Sequence, residues 1–145
     1  MSYTYRYPRP AVTADCVVLT TEAIPRVLLI ERGNPPFKGQ WAFPGGFMNM
    51  DETIEQCAVR ELEEETGLSI SRIQLIGIYS KIDRDPRGRT LSAAYLTTLE
   101  QPVEVCGNDD AARAAWFPVN ELPPLAFDHE QIMKDALELM EKQRA

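Results

Sequence analysis

The sequence predicts an α+β fold in which a sheet of short strands packs against two main helices. Three observations lead to this prediction: short apolar runs bounded by Gly and Pro, an acidic helical segment in the first half of the chain, and an amphipathic helical segment near its end. With only two main helices among several strands, a simple strand-helix-strand repeat is not favoured. No repeat, low-complexity tract or flexible linker divides the 145 residues, so we expect one domain over residues 1–145.

Runs of Val, Leu and Ile predict the strands. The run over residues 26–30 lies between Pro25 and Gly33, which favours a short buried strand. The piece over residues 41–43 ends at a Pro-Gly-Gly loop. In chain order, the predicted strands cover residues 11–19, 26–30, 41–43, 73–82, 91–99 and 114–117.

Two segments predict helices. Residues 51–66 consist mainly of strong helix formers, with Asp51 as the expected N-cap and Gly67 placed to end the helix. Residues 127–142 carry apolar side chains at helical spacing. The apolar side chains expected on one side of this second helix are Ile132, Ala136, Leu139 and Met140.

Composition argues against several classes of function. The formal charge of −7 disfavours nonspecific binding to nucleic acid, whose phosphates need a basic surface. No apolar run is long enough to span a bilayer, and the first seven residues lack the apolar core of a secretory signal. The three widely spaced cysteines are typical of reduced cytosolic thiols. We therefore expect a cytoplasmic protein with neither a membrane nor a nucleic-acid partner.

The acidic helix is the strongest indication of chemistry. At about 100° per residue, Glu61, Glu64 and Glu65 fall in one sector of this helix. Carboxylates so placed repel each other and raise one another's proton affinity, and a divalent cation such as Mg²⁺ removes that cost. A solvated acidic face is the alternative. The paired glycines Gly45 and Gly46 favour the metal site, because they let a ligand approach the backbone just before the helix.

The segment from Gly46 to Leu68 resembles the Nudix box. That box has a glycine, five residues, a glutamate, seven residues, and then Arg-Glu-aliphatic-any-Glu-Glu-any-Gly-aliphatic. Here the 23 residues read GFMNMDETIEQCAVRELEEETGL and fill every fixed position. Such a match is far more specific than a lone GxGxxG. The fixed positions are Gly46, Glu52, Arg60, Glu61, Leu62, Glu64, Glu65, Gly67 and Leu68.

The resemblance implies an α/β/α sandwich with a mixed central sheet, and hydrolysis of a nucleoside diphosphate linked to another moiety. It implies that Glu61, Glu64 and Glu65 are catalytic and bind Mg²⁺, with Mn²⁺ as a substitute, and that the carbonyl of Gly45 joins them. The metal would neutralise the diphosphate and lower the pKa of the attacking water. The positions implied to form a bracing ion pair are Glu52 and Arg60.

Segments outside the box resemble bacterial and archaeal ADP-ribose pyrophosphatases, which convert ADP-ribose to AMP and ribose 5-phosphate. These segments are residues 34–41, 84–90 and 126–129. The resemblance implies a small-molecule nucleotide as the partner. Two other readings stay open: hydrolysis of oxidised or non-standard nucleoside triphosphates, and a sensor that binds ADP-ribose without cutting it. The sensor is the weakest, because the box is intact and the chain ends soon after its final helix.

Arginines are the candidates for substrate binding. Arg84 and Arg87 lie in a loop with a glycine and offer bidentate donors to phosphates. The alternative for this loop is a tight turn in which Asp85 pairs with Arg87 or Arg89. Arg32, after a predicted strand, is a further phosphate contact or else a solvated strand-end arginine.

Other side chains are weighed between binding and packing. Phe37 is a candidate to stack on adenine, whereas Trp41 is assigned to structural packing. We expect His129, the only histidine, to cap or pack at the start of the last helix, and Cys57 to be a small buried side chain. Tyrosines at positions 3, 5 and 7 suggest a homodimer in which the amino-terminal segment reaches its partner.

This sequence departs from similar enzymes mainly at the position expected to supply the general base. Similar enzymes often carry a glutamate shortly before the aromatic pair that matches Trp116 and Phe117, and here Arg113 stands near that position. Asp109, Asp110 or one of the box glutamates would then be the base, and Asp110 is the candidate. A weakened or altered activity is the alternative consequence.

Overall fold

The computed structural model of the chain describes residues 2–108 and 111–144, which form seven strands and two helices. The helices are α1 (Ile54–Thr66) and α2 (His129–Arg144). The strands are β1 (Ala11–Thr20), β2 (Arg26–Arg32), β3 (Trp41–Ala42), β4 (Gly45–Phe47), β5 (Gln74–Tyr79), β6 (Thr90–Leu99) and β7 (Ala111–Pro118).

The strands form a mixed sheet in the order β3-β2-β1-β6-β5. The central pair, β1 and β6, is parallel from Ala11 opposite Thr90 to Thr20 opposite Leu99. All other pairings between these strands are antiparallel, including β4 with β1 and β7 with β2. A sheet of mixed direction with two helices confirms the predicted α+β class.

The two helices cover opposite faces of the sheet. Successive side chains of a strand point to opposite faces, so β1 shows which face each helix covers. Val17 belongs to the same buried cluster as Ile132 and other residues of α2. Its neighbour Val18 belongs to a cluster with Leu62 of α1. Residues 13–20 of β1 are buried, which places this strand at the centre of a sandwich.

Helix α1 starts later than the sequence predicts. Its N-cap is Thr53 rather than Asp51, so the predicted start was wrong by about half a turn. The Thr53 hydroxyl accepts a hydrogen bond from the Gln56 N–H at 3.1 Å, and the Gln56 side chain accepts one from the Thr53 N–H at 2.9 Å. This capping box satisfies two helix-end donors that Asp51 lies too early to reach. Gly67 ends the helix at φ 80°, as expected.

Helix α2 begins at His129 rather than at residue 127. Phe127 has a φ of 53°, a left-handed conformation that cannot belong to a right-handed helix. Of the predicted apolar side, Ile132, Ala136 and Met140 are buried, whereas Leu139 is partly buried. Within the described residues, neither helix has the length and apolar character that crossing a membrane requires.

The strand boundaries also differ from those predicted. The strand predicted over residues 73–82 is shorter, Gln74–Tyr79, and that over 114–117 is longer, Ala111–Pro118. The expected Pro-Gly-Gly loop instead contains β4, in which Gly45 lies opposite Asp15 of β1. A Cβ atom on Gly45 would lie 2.3 Å from Asp15 Oδ1, so only glycine allows this pairing.

Candidate active site

A cavity of about 660 Å³ opens beside α1 and collects most of the residues that the sequence singles out. Its walls come from β1, β2, β4, α1, the loop after β5 and the start of α2. The candidate metal and phosphate residues that line it are Arg32, Gly45, Glu61, Glu64, Glu65, Arg84 and Arg87. All three glutamates therefore line one cavity, in keeping with the helical spacing that puts them in one sector of α1.

The three glutamates differ in burial and in their partners. Glu65 is buried, and its Oε1 accepts a hydrogen bond from the Gly45 N–H at 2.7 Å. Glu61 is largely buried, and its Oε1 lies 2.8 Å from Arg60 Nη1. The Glu64 side chain is 45% exposed and lies 3.1 Å from the same nitrogen. Burial raises the pKa of Glu61, and the Arg60 guanidinium opposes that effect.

Gly46 is required by the close approach of α1 to β4. A Cβ atom at this position would lie 2.6–2.7 Å from the carboxyl atoms of Glu61. Any side chain there would displace Glu61 from the cavity wall. The paired glycines of the sequence therefore bring the backbone of β4 against the carboxylates of α1.

The ion pair implied by the resemblance, Glu52 with Arg60, is present. Arg60 donates to both carboxylate oxygens of Glu52, at 2.7 and 2.8 Å, and to the carbonyl of Phe47 at 3.2 Å. Hydrogen bonds from Arg60 hold the pKa of Glu52 at about 2, well below its usual value. The pair therefore connects the loop before α1 to the helix. Cys57, which lies beside the pair, is fully buried, as expected.

The donor set in the cavity fits a hard divalent cation. The carboxylates of Glu61, Glu64 and Glu65 and the carbonyl oxygen of Gly45 are all oxygen donors, which Mg²⁺ and similar ions prefer. Within residues 2–108 and 111–144, no three acidic, His or Cys side chains converge on one point as a bound ion would require. Glu61 and Glu64 instead face Arg60, so binding a cation requires them to turn from that guanidinium.

The second wall of the cavity carries arginine guanidinium groups that lie over aromatic rings. Arg87 lies 4.8 Å from the ring centre of Phe47 and 5.4 Å from that of Phe127. Arg32 lies 5.0 Å from the Phe127 ring, and its Nε donates to a backbone carbonyl at 2.7 Å. Asp85, almost fully buried, binds the Arg87 guanidinium at 2.7–3.2 Å. This pairing confirms the tight-turn reading of the loop and also aims Arg87 at the cavity.

Arg84 differs from the expected exposed phosphate ligand. Its side chain is only 3% exposed, and its Nε and Nη2 bind both carboxylate oxygens of Asp128 at 2.9 and 2.7 Å. Although it lines the cavity, its guanidinium fork is occupied and buried, whereas the Arg87 side chain, also paired, stays 39% exposed. The pair fastens the loop after β5 to the start of α2.

Phe37 does not line the main cavity. It lies in a smaller one of about 330 Å³ and packs edge-to-face on Phe127 with ring centres 4.8 Å apart. The prediction that it stacks on adenine therefore has no support in this arrangement, in which Phe37 holds Phe127. Trp41 is buried in the core, as expected.

Two buried polar residues, Asp15 and His129, also line the cavity; sequence reasoning assigned His129 a packing role only, and Asp15 was overlooked. Asp15 accepts a 2.5 Å hydrogen bond from the Ser92 hydroxyl. His129 stacks on Phe43, and its Nδ1 accepts the Phe43 N–H at 3.2 Å, which confirms the expected packing role. The signal for Asp15 was the one charged residue of a strand rich in apolar side chains, a position that is costly unless it is paired.

The predicted base Asp110, like Asp109, lies outside the described residues. The preceding residue, Asn108, donates its N–H to the Glu65 carbonyl at 3.1 Å and so lies beside α1. Arg113 pairs with Glu31 at 3.1 and 3.2 Å across β2 and β7. That cross-strand pair gives a structural reason for an arginine at this position.

Comparison with known proteins identifies the fold and the family. A profile of the NUDIX domain matches residues 9–139. An ADP-ribose pyrophosphatase of Methanocaldococcus jannaschii is 46% identical over 129 residues, which cover 89% of this chain and 74% of that protein. The ADPR responsive transcriptional repressor NtrR of Acinetobacter baylyi is 29% identical over 135 residues, and the chain spans about half (54%) of its length.

The structural likeness is equally extensive. The NUDIX domain of Shewanella oneidensis NrtR, crystallised with ADP ribose, superimposes with a TM-score of 0.85 at 30% identity, covering 92% of this chain and 90% of that one. This likeness confirms the expected Nudix-type sandwich. With the intact box on α1 and the matching profile, it shows that the chain belongs to the Nudix family.

Proposed function

We propose that this Nudix hydrolase cleaves ADP-ribose to AMP and ribose 5-phosphate, with Mg²⁺ as its metal and Mn²⁺ as a substitute. The observation that carries the proposal is the single cavity that holds three box glutamates together with Arg32 and Arg87. Metal ligands and phosphate-binding cations in one cavity suit a diphosphate. The similarity to the archaeal ADP-ribose pyrophosphatase supports the choice of substrate.

In this proposal one wall of the cavity binds the metal and the other binds phosphate. Glu61, Glu64, Glu65 and the Gly45 carbonyl hold the cation, which when bound supplies Lewis acidity and neutralises phosphate charge. The Gly45 N–H fixes the Glu65 carboxylate, so that this ligand is oriented before the metal binds. Arg87, held by Asp85, binds phosphate oxygens from the other wall, and its fixed orientation lowers the entropy lost on binding.

A substrate panel with Mg²⁺ tests the proposal. ADP-ribose is expected to turn over faster than other nucleotide sugars, dinucleoside polyphosphates and 8-oxo-dGTP, with AMP and ribose 5-phosphate as products. The products are measured by chromatography. Inert ADP-ribose together with rapid turnover of a triphosphate would show instead that the chain sanitises nucleotides.

A binding measurement beside the same panel distinguishes an enzyme from a sensor. Similarity to an ADPR responsive repressor and to the ADP ribose-bound NrtR domain favours the sensor as a second candidate. Binding of ADP-ribose without cleavage, measured by calorimetry with Mg²⁺ present, would support the sensor. The intact set of box glutamates favours cleavage.

The general base is tested by single variants of the loop aspartates. Asp110→Asn is expected to lower kcat at least tenfold, because it removes a proton acceptor while keeping the side-chain volume. Asp109→Asn is the matched neighbour and is expected to have the smaller effect. If neither variant changes kcat, the base is one of the box glutamates.

Three further expectations stay predictions. They are a single domain over residues 1–145, a cytoplasmic location, and a homodimer that uses the amino-terminal segment. The tyrosines at positions 3, 5 and 7 are exposed in the single chain, as such a contact would require.

A further inference from the structure

The tautomer of His129 is fixed by its surroundings. The Nδ1 atom accepts the backbone N–H of Phe43 at 3.2 Å, so it carries a lone pair and no proton. Burial lowers the pKa of this imidazole, which favours the neutral ring. A neutral ring with a bare Nδ1 carries its proton on Nε2. His129 therefore presents a single N–H donor from a side chain that is almost fully buried.

This donor has no partner of its own within the described part of the chain. Asp15 Oδ2 lies 3.8 Å from Nε2, which is too far for a direct hydrogen bond. No buried side-chain nitrogen or oxygen among the described residues is both sealed from solvent and unpaired, so Nε2 reaches the cavity that His129 and Asp15 both line. The donor and the acceptor thus lie side by side on the cavity wall with a gap between them.

The Asp15 carboxylate is held in place as firmly as the imidazole. Ser92 donates its hydroxyl proton to Oδ2 at 2.5 Å, and Oδ1 lies against Gly45 on the neighbouring strand. A carboxylate oxygen has two lone pairs, so Oδ2 keeps capacity for a second donor. The pair therefore offers one fixed donor and one fixed acceptor.

A hydroxyl group is the chemical partner that matches this pair. An oxygen at hydrogen-bond distance of about 2.7–3.0 Å from both atoms fits the gap of 3.8 Å between Nε2 and Oδ2. It would accept from His129 and donate to Asp15. A phosphate oxygen has no proton to donate and would be repelled by the carboxylate, so the pair discriminates against phosphate.

We propose that Asp15 and His129 together bind one ribose hydroxyl of the substrate and so help the site to select a ribosyl nucleotide. The inference rests on the proposed function, since ADP-ribose carries such hydroxyls on both sugars. It assigns no part of bond cleavage to either residue. The pair acts in ground-state binding, so its loss is expected to raise KM and leave kcat nearly unchanged.

Two substitutions of His129 separate the hydroxyl contact from the structural contact. His129→Asn keeps an acceptor near Nδ1 for the Phe43 N–H but removes the donor at Nε2. His129→Gln places an amide nitrogen near Nε2 but removes the acceptor at Nδ1. With ADP-ribose we expect KM to rise about tenfold in the Asn variant and less than about threefold in the Gln variant. Glu130→Gln, exposed on the same helix, is the control.

Analogues of ADP-ribose that each lack one ribose hydroxyl identify the contact. For the analogue without the bound hydroxyl, wild type and His129→Asn are expected to have the same KM within about twofold. A loss of equal size on every analogue, or a larger loss in the Gln variant, would mean that His129 only packs, and would overturn the inference. If wild type does not cleave ADP-ribose at all, the proposed function fails first, and this inference with it.

A measurement on the unmodified protein covers the case in which the variants do not fold. Because His129 is the only histidine, ¹⁵N-labelled histidine reports on this ring alone. Near pH 8, we expect the Nε2–H tautomer, with an Nε2 shift that changes on adding ADP-ribose in EDTA and does not change with the analogue that lacks the hydroxyl. An Nδ1–H tautomer, or the same shift with every analogue, would overturn the inference.

Discussion

Glu65→Gln is expected to lower kcat about a thousandfold, equivalent to about 4 kcal/mol of transition-state stabilisation. Glu65 is the most buried of the three box glutamates and is the one fixed by the Gly45 N–H at 2.7 Å. Glutamine keeps the side-chain volume and retains an oxygen to accept that bond, but it removes the negative charge that a cation needs. Turnover of ADP-ribose at saturating Mg²⁺ measures the effect.

The fold of this variant is expected to survive. Removing one of three neighbouring carboxylates relieves repulsion, so Tm without metal is expected to stay the same or to rise slightly. The rise in Tm that Mg²⁺ gives the wild type is expected to be largely lost, because ligand binding stabilises only the state that binds. This second readout does not depend on activity.

Glu63→Gln is the matched control for the same helix. Glu63 is exposed and accepts a hydrogen bond from Ser69 at 2.9 Å, outside the cavity. Its kcat and its response to Mg²⁺ are expected to equal those of the wild type. Full activity in Glu65→Gln would contradict the placement of the metal, and equal losses in both variants would point to a general effect of helix charge.

The part of the site that sequence alone predicts is the part built by local periodicity. Glu61, Glu64 and Glu65 share a helix face because of the helical repeat, and no long-range contact is needed to infer it. The close approach of a ligand to the paired glycines before the helix could also be inferred from the local sequence. The start of α1 was misplaced only because Thr53 forms a capping box and therefore competes better than Asp51.

The rest of the site depends on contacts between residues far apart in the chain. Asp15 and His129 are 114 positions apart, and their pairing follows from how β1 and α2 pack in three dimensions. Phe37 was assigned to the nucleotide from its aromatic character, yet its position is set by Phe127. Side-chain type shows what a residue can bind, whereas only the packing shows which partner it has.

Arg84 is the clearest case of a residue whose partner only the packing shows. Its pairing with Asp128 leads to the prediction with the largest expected effect on stability. Asp128→Asn is expected to lower the free energy of unfolding by about 3 kcal/mol, because it leaves the buried Arg84 guanidinium without its partner. The Asn amide would also direct a donor at the donors of Arg84. For a chain of this size, Tm is expected to fall by roughly 6–12 °C.

The exposed pair of Lys81 and Asp83 in the same loop provides the control. Its atoms are 3.9 Å apart and both side chains are about 80% exposed (78% and 81%), so Asp83→Asn is expected to shift Tm by less than about 2 °C. If Asp128→Asn shifts Tm as little as the control but raises KM for ADP-ribose, then Arg84 is a substrate ligand, as the loop sequence predicts. If Tm falls as expected and KM stays within about threefold, Arg84 holds the loop, and Arg32 and Arg87 are left to bind phosphate.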